Sequence, residues 1–234
     1  MITSVTNEKI KEYAKLKETK YRNEKGLYIV EGPHLVLEAK NNGVLLEVIT
    51  TDEKVVGTLV SEQVMKKLCN TVNPVKVIGI CKMIDKSEVS NKVLVLDSIN
   101  DPTNLGTILR SAKAFGFDTV FASNGTVDFY NDKVIRGSQG ALFKLNLIKG
   151  DLLEFLSKIK KTHQILGTNV RNGFDVREVL LSDKLAVILG NEARGMCEEA
   201  NQYVDKNLYI KMDNMESLNV SIAGAILMYE ISKK

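Results

Sequence analysis

The run VLVLDSI, residues 93–99, limits what this chain can fold into more than any other stretch. Its first four residues are apolar without alternation, the pattern of a strand covered on both faces. The segments that follow keep the same rhythm. NLGTILRSAKAFG (104–116) has helical periodicity, DTVFAS (118–123) reads as a strand, and DLLEFLSKIKK (151–161) as a helix. HQILGTN (163–169), KLAVILG (184–190) and NLYIKM (207–212) read as strands, and SLNVSIAGAILMYE (217–230) opens the last helix. Alternation of this kind argues an α/β fold around a mostly parallel sheet. Ligands of such sheets bind beyond the carboxyl ends of the strands. The loops GTNV, GNEARG and KMDNMESLN are therefore expected to converge on one place.

An earlier set of elements precedes Val93. GLYIVEG (26–32) reads as a strand, and PHLVLEAKNNG follows as a helix with Pro33 in its first turn and Gly43 past its end. VLLEVIT (44–50) and PVKVIGI (74–80) read as strands, with SEQVMKKLCN (61–70) between them as a helix capped by Ser61. DKSEVSNK (85–92) is polar and lacks apolar periodicity, so a linker is expected there. This divides the chain into residues 1–85 and 91–234.

Composition excludes several classes. The 234 residues are 44% hydrophobic and 26% charged, so there is enough apolar chain for a real core. The polar start MITSVTNEKIKEYAKL is not a signal peptide, and no stretch approaches 18 uncharged apolar residues, so no membrane span is expected. Three separated cysteines, Cys69, Cys81 and Cys197, suit reduced thiols in a cytoplasmic setting. With no CxxC pair and only His34 and His163, no metal site is expected. The net charge of +3 is concentrated: residues 1–25 carry seven Lys/Arg against four Glu, whereas residues 91–234 carry 18 against 17. Lys15, Lys17, Lys20, Arg22 and Lys25 are therefore candidate phosphate contacts, unless this run is a solvated helix face with Glu/Lys pairs.

Single residues carry less on their own. On the helix starting near Asn104, the residues Leu105, Ile108, Leu109 and Ala112 fall between about 40° and 140°, and Arg110 at about 240°, so Arg110 faces outward. By position Asn104 is a helix cap and Arg110 a solvated side chain. Gly106 inside the first turn costs roughly 1 kcal/mol relative to Ala, which points to close approach of a backbone or ligand. VILGNEARGM places a glycine-rich turn directly after a buried strand, yet it matches neither the dinucleotide nor the P-loop pattern. This disfavours a nucleotide-dependent oxidoreductase. Glu192 in that turn is either a cap or a functional carboxylate. Ser217 serves as a cap for the last helix, but Asn219 in the same turn is more polarity than a cap needs. Spare polar groups at a helix start suit a polar or anionic ligand.

Taken together, Asn104–x5–Arg110, LGNEARG and SLNVSIAGAILMYE resemble, in order and spacing, the three motifs of the SpoU-type RNA 2'-O-ribose methyltransferases of the SPOUT superfamily. YIVEGPHLVLEA is similar to the substrate-binding domain that precedes the catalytic domain in many members. The resemblance implies a SPOUT domain at 91–234 with a parallel sheet and a trefoil knot, behind a small α/β/α domain like a ribosomal protein. It implies S-adenosylmethionine as cofactor, an RNA substrate, ribosomal sooner than transfer RNA, and a homodimer with the active site at the subunit interface. Carried over residue by residue, Asn104, Arg110, Glu192, Ser217 and Asn219 are catalytic. Thr168, Asn169, Gly190, Ile210 and Leu218 contact the cofactor. Arg110 is either a base assisted by an RNA phosphate or the anchor of that phosphate. One departure stands out: Lys211 occupies a place where the family usually has Pro, and the loop IKMDNMESLN lacks the usual Gly. A member that keeps the fold and has lost methyl transfer is the alternative.

Overall fold

The computed structural model describes residues 1–84, 88–169 and 172–234. The N-terminal elements are α1 (Glu8–Lys15), α2 (Thr19–Lys25), β1 (Leu27–Glu31), α3 (Pro33–Asn41), β2 (Leu45–Thr50), β3 (Thr58–Leu59), α4 (Glu62–Leu68) and β4 (Val77–Lys82). The chain continues with β5 (Lys92–Leu96), α5 (Pro102–Ala114), β6 (Thr119–Ser123), α6 (Asp132–Ser138), β7 (Asn146–Gly150), α7 (Leu152–Ile159), β8 (Gln164–Thr168), β9 (Phe174–Asp175), β10 (Leu185–Leu189), β11 (Lys206–Tyr209) and α8 (Val220–Ser232). Part of the expected linker, residues 85–87, and the last residue of GTNV lie outside the described residues.

Seven strands form one sheet in the order β7-β6-β5-β10-β8-β11-β9, and every neighbouring pair is parallel. Its central strands are buried on both faces. Val93 and Val95 look toward Phe155, Leu156 and Ile159 of α7, where Phe121 stacks on Phe155 with ring centroids 3.9 Å apart. Leu94 and Leu96 look the other way, into a core shared with Leu105, Ile108, Leu109 and Ala112 of α5 and Leu227, Met228 and Ile231 of α8. Continuous apolar strands are thus the consequence of helices on both sides. Gly106 meets Gly137 of α6: a Cβ at Gly106 would come within 2.9 Å of the Gly137 Cα, so close backbone approach explains the glycine.

The smaller sheet is mixed, unlike the parallel large sheet. Its order is β1-β4-β2-β3, with β4 antiparallel to both β1 and β2 and only β2–β3 parallel. The β1–α3–β2 unit leaves a gap between its two strands, and β4 fills it from the opposite direction. One face of this sheet packs on Ile10, Val64, Met65 and Leu68 from α1 and α4. Tyr28 and Val30 on the other face, with Val36 and Ala39 of α3, join the large core that also holds α5 and α8. Ser61 caps α4 as expected, its hydroxyl accepting from Val64 N–H. Among the described residues no helix is long and apolar enough to cross a membrane.

The basic N-terminal run is largely committed to the protein itself. Lys15 pairs with Glu12, and Lys17 Nζ donates to the carbonyl of Cys69. Arg22 is buried at 5% exposure and ion-paired with Asp128, which removes it from any phosphate-binding set. Lys20 is exposed, and Lys25, also exposed, has only a loose 3.8 Å ion pair with Glu24. The run is amphipathic because it must cover a sheet, and its cations neutralise neighbouring carboxylates and carbonyls.

Candidate active site at the carboxyl edge of the parallel sheet

β10, β8 and β11 are neighbours in the large sheet, so Gly190, Thr168 and Ile210 leave it side by side. The N-termini of α5 and α8 arrive at the same edge. Asp101 caps α5: its Oδ1 accepts from the N–H groups of Thr103 and Asn104 at 2.7 and 2.9 Å, and Pro102 occupies the first turn. Asn104 is therefore not the cap, as its position in the sequence suggested. The helix begins two residues earlier because Asp101–Pro102 is the stronger start signal. Relieved of capping, the Asn104 amide bridges two other segments.

Its Nδ2 donates to Glu192 Oε1 at 2.9 Å, and its Oδ1 accepts from Asn219 Nδ2 at 3.0 Å. Glu192 is accordingly not a helix cap but the acceptor that ends this chain of amides. Asn219, and not Ser217, caps α8: its Oδ1 accepts from the backbone N–H and the hydroxyl of Ser221 at 2.9 and 2.6 Å. One amide thus performs both jobs, since a cap uses only the oxygen and leaves the NH2 to donate. Ser217 and Arg110 are both exposed, and their side chains have no hydrogen bond or ion pair to a described residue. Arg110 lies six residues along α5 from Asn104, about 9 Å by helix rise, on the outward face expected for it.

The Glu192 loop is a closed turn. Asn191 N–H donates to Gly195 O and Gly195 N–H returns to Asn191 O, at 2.9 and 2.8 Å. The Asn191 side-chain oxygen accepts from Ala193 and Arg194 N–H. Gly190 is required beneath it, because a Cβ there would overlap the backbone of Gly195 and Met196. Asn191 went unremarked in the sequence reading, although an Asn directly after a strand-ending Gly is a turn signal. The loop before α8 departs from the family pattern in lacking Gly, yet Asn214 takes the left-handed conformation there, with φ +59°. Asn is among the few other residues that accept it. Thr168 Oγ1 donates to Ile188 O at 2.9 Å, so this hydroxyl ties β8 to β10. Asn169 N–H donates to Leu208 O and its Oδ1 accepts from Asn172 N–H.

Comparison with known proteins decides what this edge belongs to. The model of the SpoU rRNA methylase family matches residues 91–229. The chain belongs to the SpoU rRNA methylase family. Residues 7–79 also match the MRM3-like substrate binding domain. The chain is 33% identical, across 98% of both chains, to the 23S rRNA (guanosine(2553)-2'-O)-methyltransferase RlmP of Bacillus subtilis (strain 168). An S-adenosylmethionine-bound rRNA methyltransferase from Sinorhizobium meliloti superposes with a TM-score of 0.87 at 25% identity, over 99% of this chain and 97% of the other. A solved RNA 2'-O ribose methyltransferase superposes with a TM-score of 0.80 at 30% identity, over 98% and 96%.

Membership makes the protein an RNA 2'-O-ribose methyltransferase that uses S-adenosylmethionine, as the motifs implied. The residues at the edge fit that cofactor. Ile210 and Leu218 offer half-buried apolar side chains, and the space beside Gly190 admits only backbone. An adenine ring held by apolar contact and main-chain groups suits such a lining.

Proposed function

We propose that this chain methylates a ribose 2'-hydroxyl in large-subunit ribosomal RNA. In this reading residues 1–85 grip the RNA, residues 91–234 hold cofactor and perform transfer, and two copies pair through α8. The observation that carries the reading is the hydrogen-bonded row Asn219–Asn104–Glu192, with an exposed Arg110 further along the helix that carries Asn104 and without a side-chain partner among the described residues. The full-length similarity to a relative named for 23S rRNA supports the RNA class, and the guanosine in that relative's name is the first position to examine. The match of residues 7–79 to a substrate-binding domain supports the division of labour.

Gly190, Ile210 and Leu218 would hold S-adenosylmethionine, with Thr168 and Asn169 at the margin. When bound, it supplies a methyl group already activated for transfer. The protein's tasks are alignment of the ribose oxygen and removal of its proton. Asn104, Glu192, Ser217 and Asn219 orient the ribose and Arg110. An Arg side chain keeps its proton at any ordinary pH, so Arg110 acts best as a bidentate fork that anchors an RNA phosphate near the ribose, with the hydroxyl proton passing to solvent. Pairing through α8 is supported by a second apolar stripe: Ile222, Ile226 and Tyr229 are 52, 37 and 46% exposed, opposite the face that packs on the core.

The test is a map of ribose methylation in the RNA of a deletion strain. Loss of one 2'-O-methyl group from large-subunit RNA, restored by the purified protein and S-adenosylmethionine, is expected. An intact ribosomal map with a methyl group missing from transfer RNA would replace this reading with a tRNA one.

A further inference from the structure

The Asn219–Asn104–Glu192 row holds only while the tip of the 190–197 turn stays in place. Two consecutive residues just past β5 grip that turn at both ends. Asp97 Oδ2 accepts from Cys197 N–H at 2.7 Å, and Ser98 O accepts from Asn191 Nδ2 at 2.7 Å. Asp97 is 5% exposed; its other oxygen accepts from the Ser98 hydroxyl at 3.0 Å, and no cation pairs with it among the described residues. A buried carboxylate without a cation disfavours folding, and packing alone would be served by a neutral side chain. Ser98 itself has φ +60°, a conformation that residues other than Gly adopt rarely. That twist lets Ser98 donate its N–H to Ser123 Oγ, its hydroxyl to Asp97, and present its carbonyl to Asn191. Four residues beyond Asp97, Asp101 caps α5 and so fixes Asn104. Residues 97–104 therefore carry both the anchor of the turn and the amide that the turn must meet.

We propose that Asp97 and Asn191 are positioning residues for methyl transfer. They set the place of Glu192, and through it the orientation of the Asn104 amide, without touching substrate or cofactor. This rests on the roles given above to Glu192 and Asn104. A charged acceptor strengthens the grip on Cys197 N–H, and Asn191 links the far end of the turn to the same segment just past β5.

The test is a pair of double-mutant cycles on the full-length protein with an unmodified large-subunit RNA transcript. Asn191→Ala is expected to lower kcat at least tenfold, with KM for RNA and S-adenosylmethionine within threefold of wild type. Because Asn191 acts through Glu192, the N191A/E192A variant should be no more than threefold slower than E192A alone. Asp97→Asn keeps the shape and loses one acceptor; it should show a smaller fall with the same lack of additivity. Independently of activity, amide exchange in the ligand-free protein should quicken at Ala193 and Arg194 in N191A and at Cys197 in D97N. Additive losses, unchanged exchange, or a lower Tm with wild-type kcat would overturn the positioning role while leaving Glu192 catalytic. Wild-type kcat in E192A would instead remove the catalytic reading of Glu192, and this proposal with it.

Discussion

The proposed chemistry turns on Arg110. Asn104, Glu192 and Asn219 already satisfy one another, whereas Arg110 stands exposed with its donors unused by any described residue. Its replacement by Ala removes nothing from the core, since the buried face of α5 is Leu105, Ile108, Leu109 and Ala112. Arg110→Ala is therefore expected to retain less than about a tenth of the wild-type rate, with thermal stability and S-adenosylmethionine affinity nearly unchanged. Single-turnover kinetics beside calorimetric cofactor binding checks this, and a rate above that level would refute an essential role. Arg110→Lys refines it: a phosphate fork predicts a raised KM for RNA that worsens with salt, because Lys keeps the charge and loses the bidentate geometry.

At the scale of elements, the two helix starts do the positioning, and each makes a separate prediction. Backbone N–H groups of Asn104 and Thr103 hold the Asp101 carboxyl below its ordinary value. A depressed folded-state pKa means this cap contributes above the unfolded value and is lost as pH falls through the folded one. The Asp101 carboxyl, followed by NMR, should thus titrate below the ordinary Asp range. Asp101→Ala should cost about 1 kcal/mol near neutral pH, measured by urea unfolding, with the difference vanishing in acid. For α8, glutamates at Ile222 and Ile226 should convert a homodimer to a monomer in light scattering at micromolar concentration, with helix content kept. A wild-type monomer would sink the pairing. Much of this was legible beforehand. Long buried strands such as Leu185–Leu189 announced themselves by unbroken apolar runs. The caps were misplaced because Asp101 and Asn104, like Ser217 and Asn219, are equally good caps by type, and only the fold decides which amide is free. The seven-residue α6 and the strand β7 (Asn146–Gly150) are too short and too mixed to show a period. The antiparallel pairing of β4 was hidden because a strand–helix rhythm does not encode direction.

At the scale of the molecule, the charge pattern that suggested RNA contact at Arg22 instead marks how the two sheets are joined. The Arg22 guanidinium donates to the carbonyls of Leu16 and Lys17 at 2.9 and 2.8 Å, to Thr19 Oγ1 at 2.8 Å, and to Asp128 between β6 and α6. Around it Tyr28 packs on Tyr130, with centroids 4.6 Å apart, and Lys144 pairs with Glu38 at 2.8 Å. With Tyr28, Val30 and Val36 in the same core as α5, residues 1–84 are seated on the part of the chain that carries the large sheet and not loosely tethered to it. An RNA held by the first half would then meet the carboxyl edge at a fixed distance. A single cooperative unfolding transition is therefore expected. Removing one partner of a buried ion pair costs about 3–5 kcal/mol, because the other charge is left without compensation. Arg22→Ala and Asp128→Ala should each destabilise the protein on that scale, and the double variant by clearly less than their sum. Calorimetry decides it: two separate transitions in the wild-type protein, or additive losses in the cycle, would mean that the halves fold independently and that the ion pair does not hold them together.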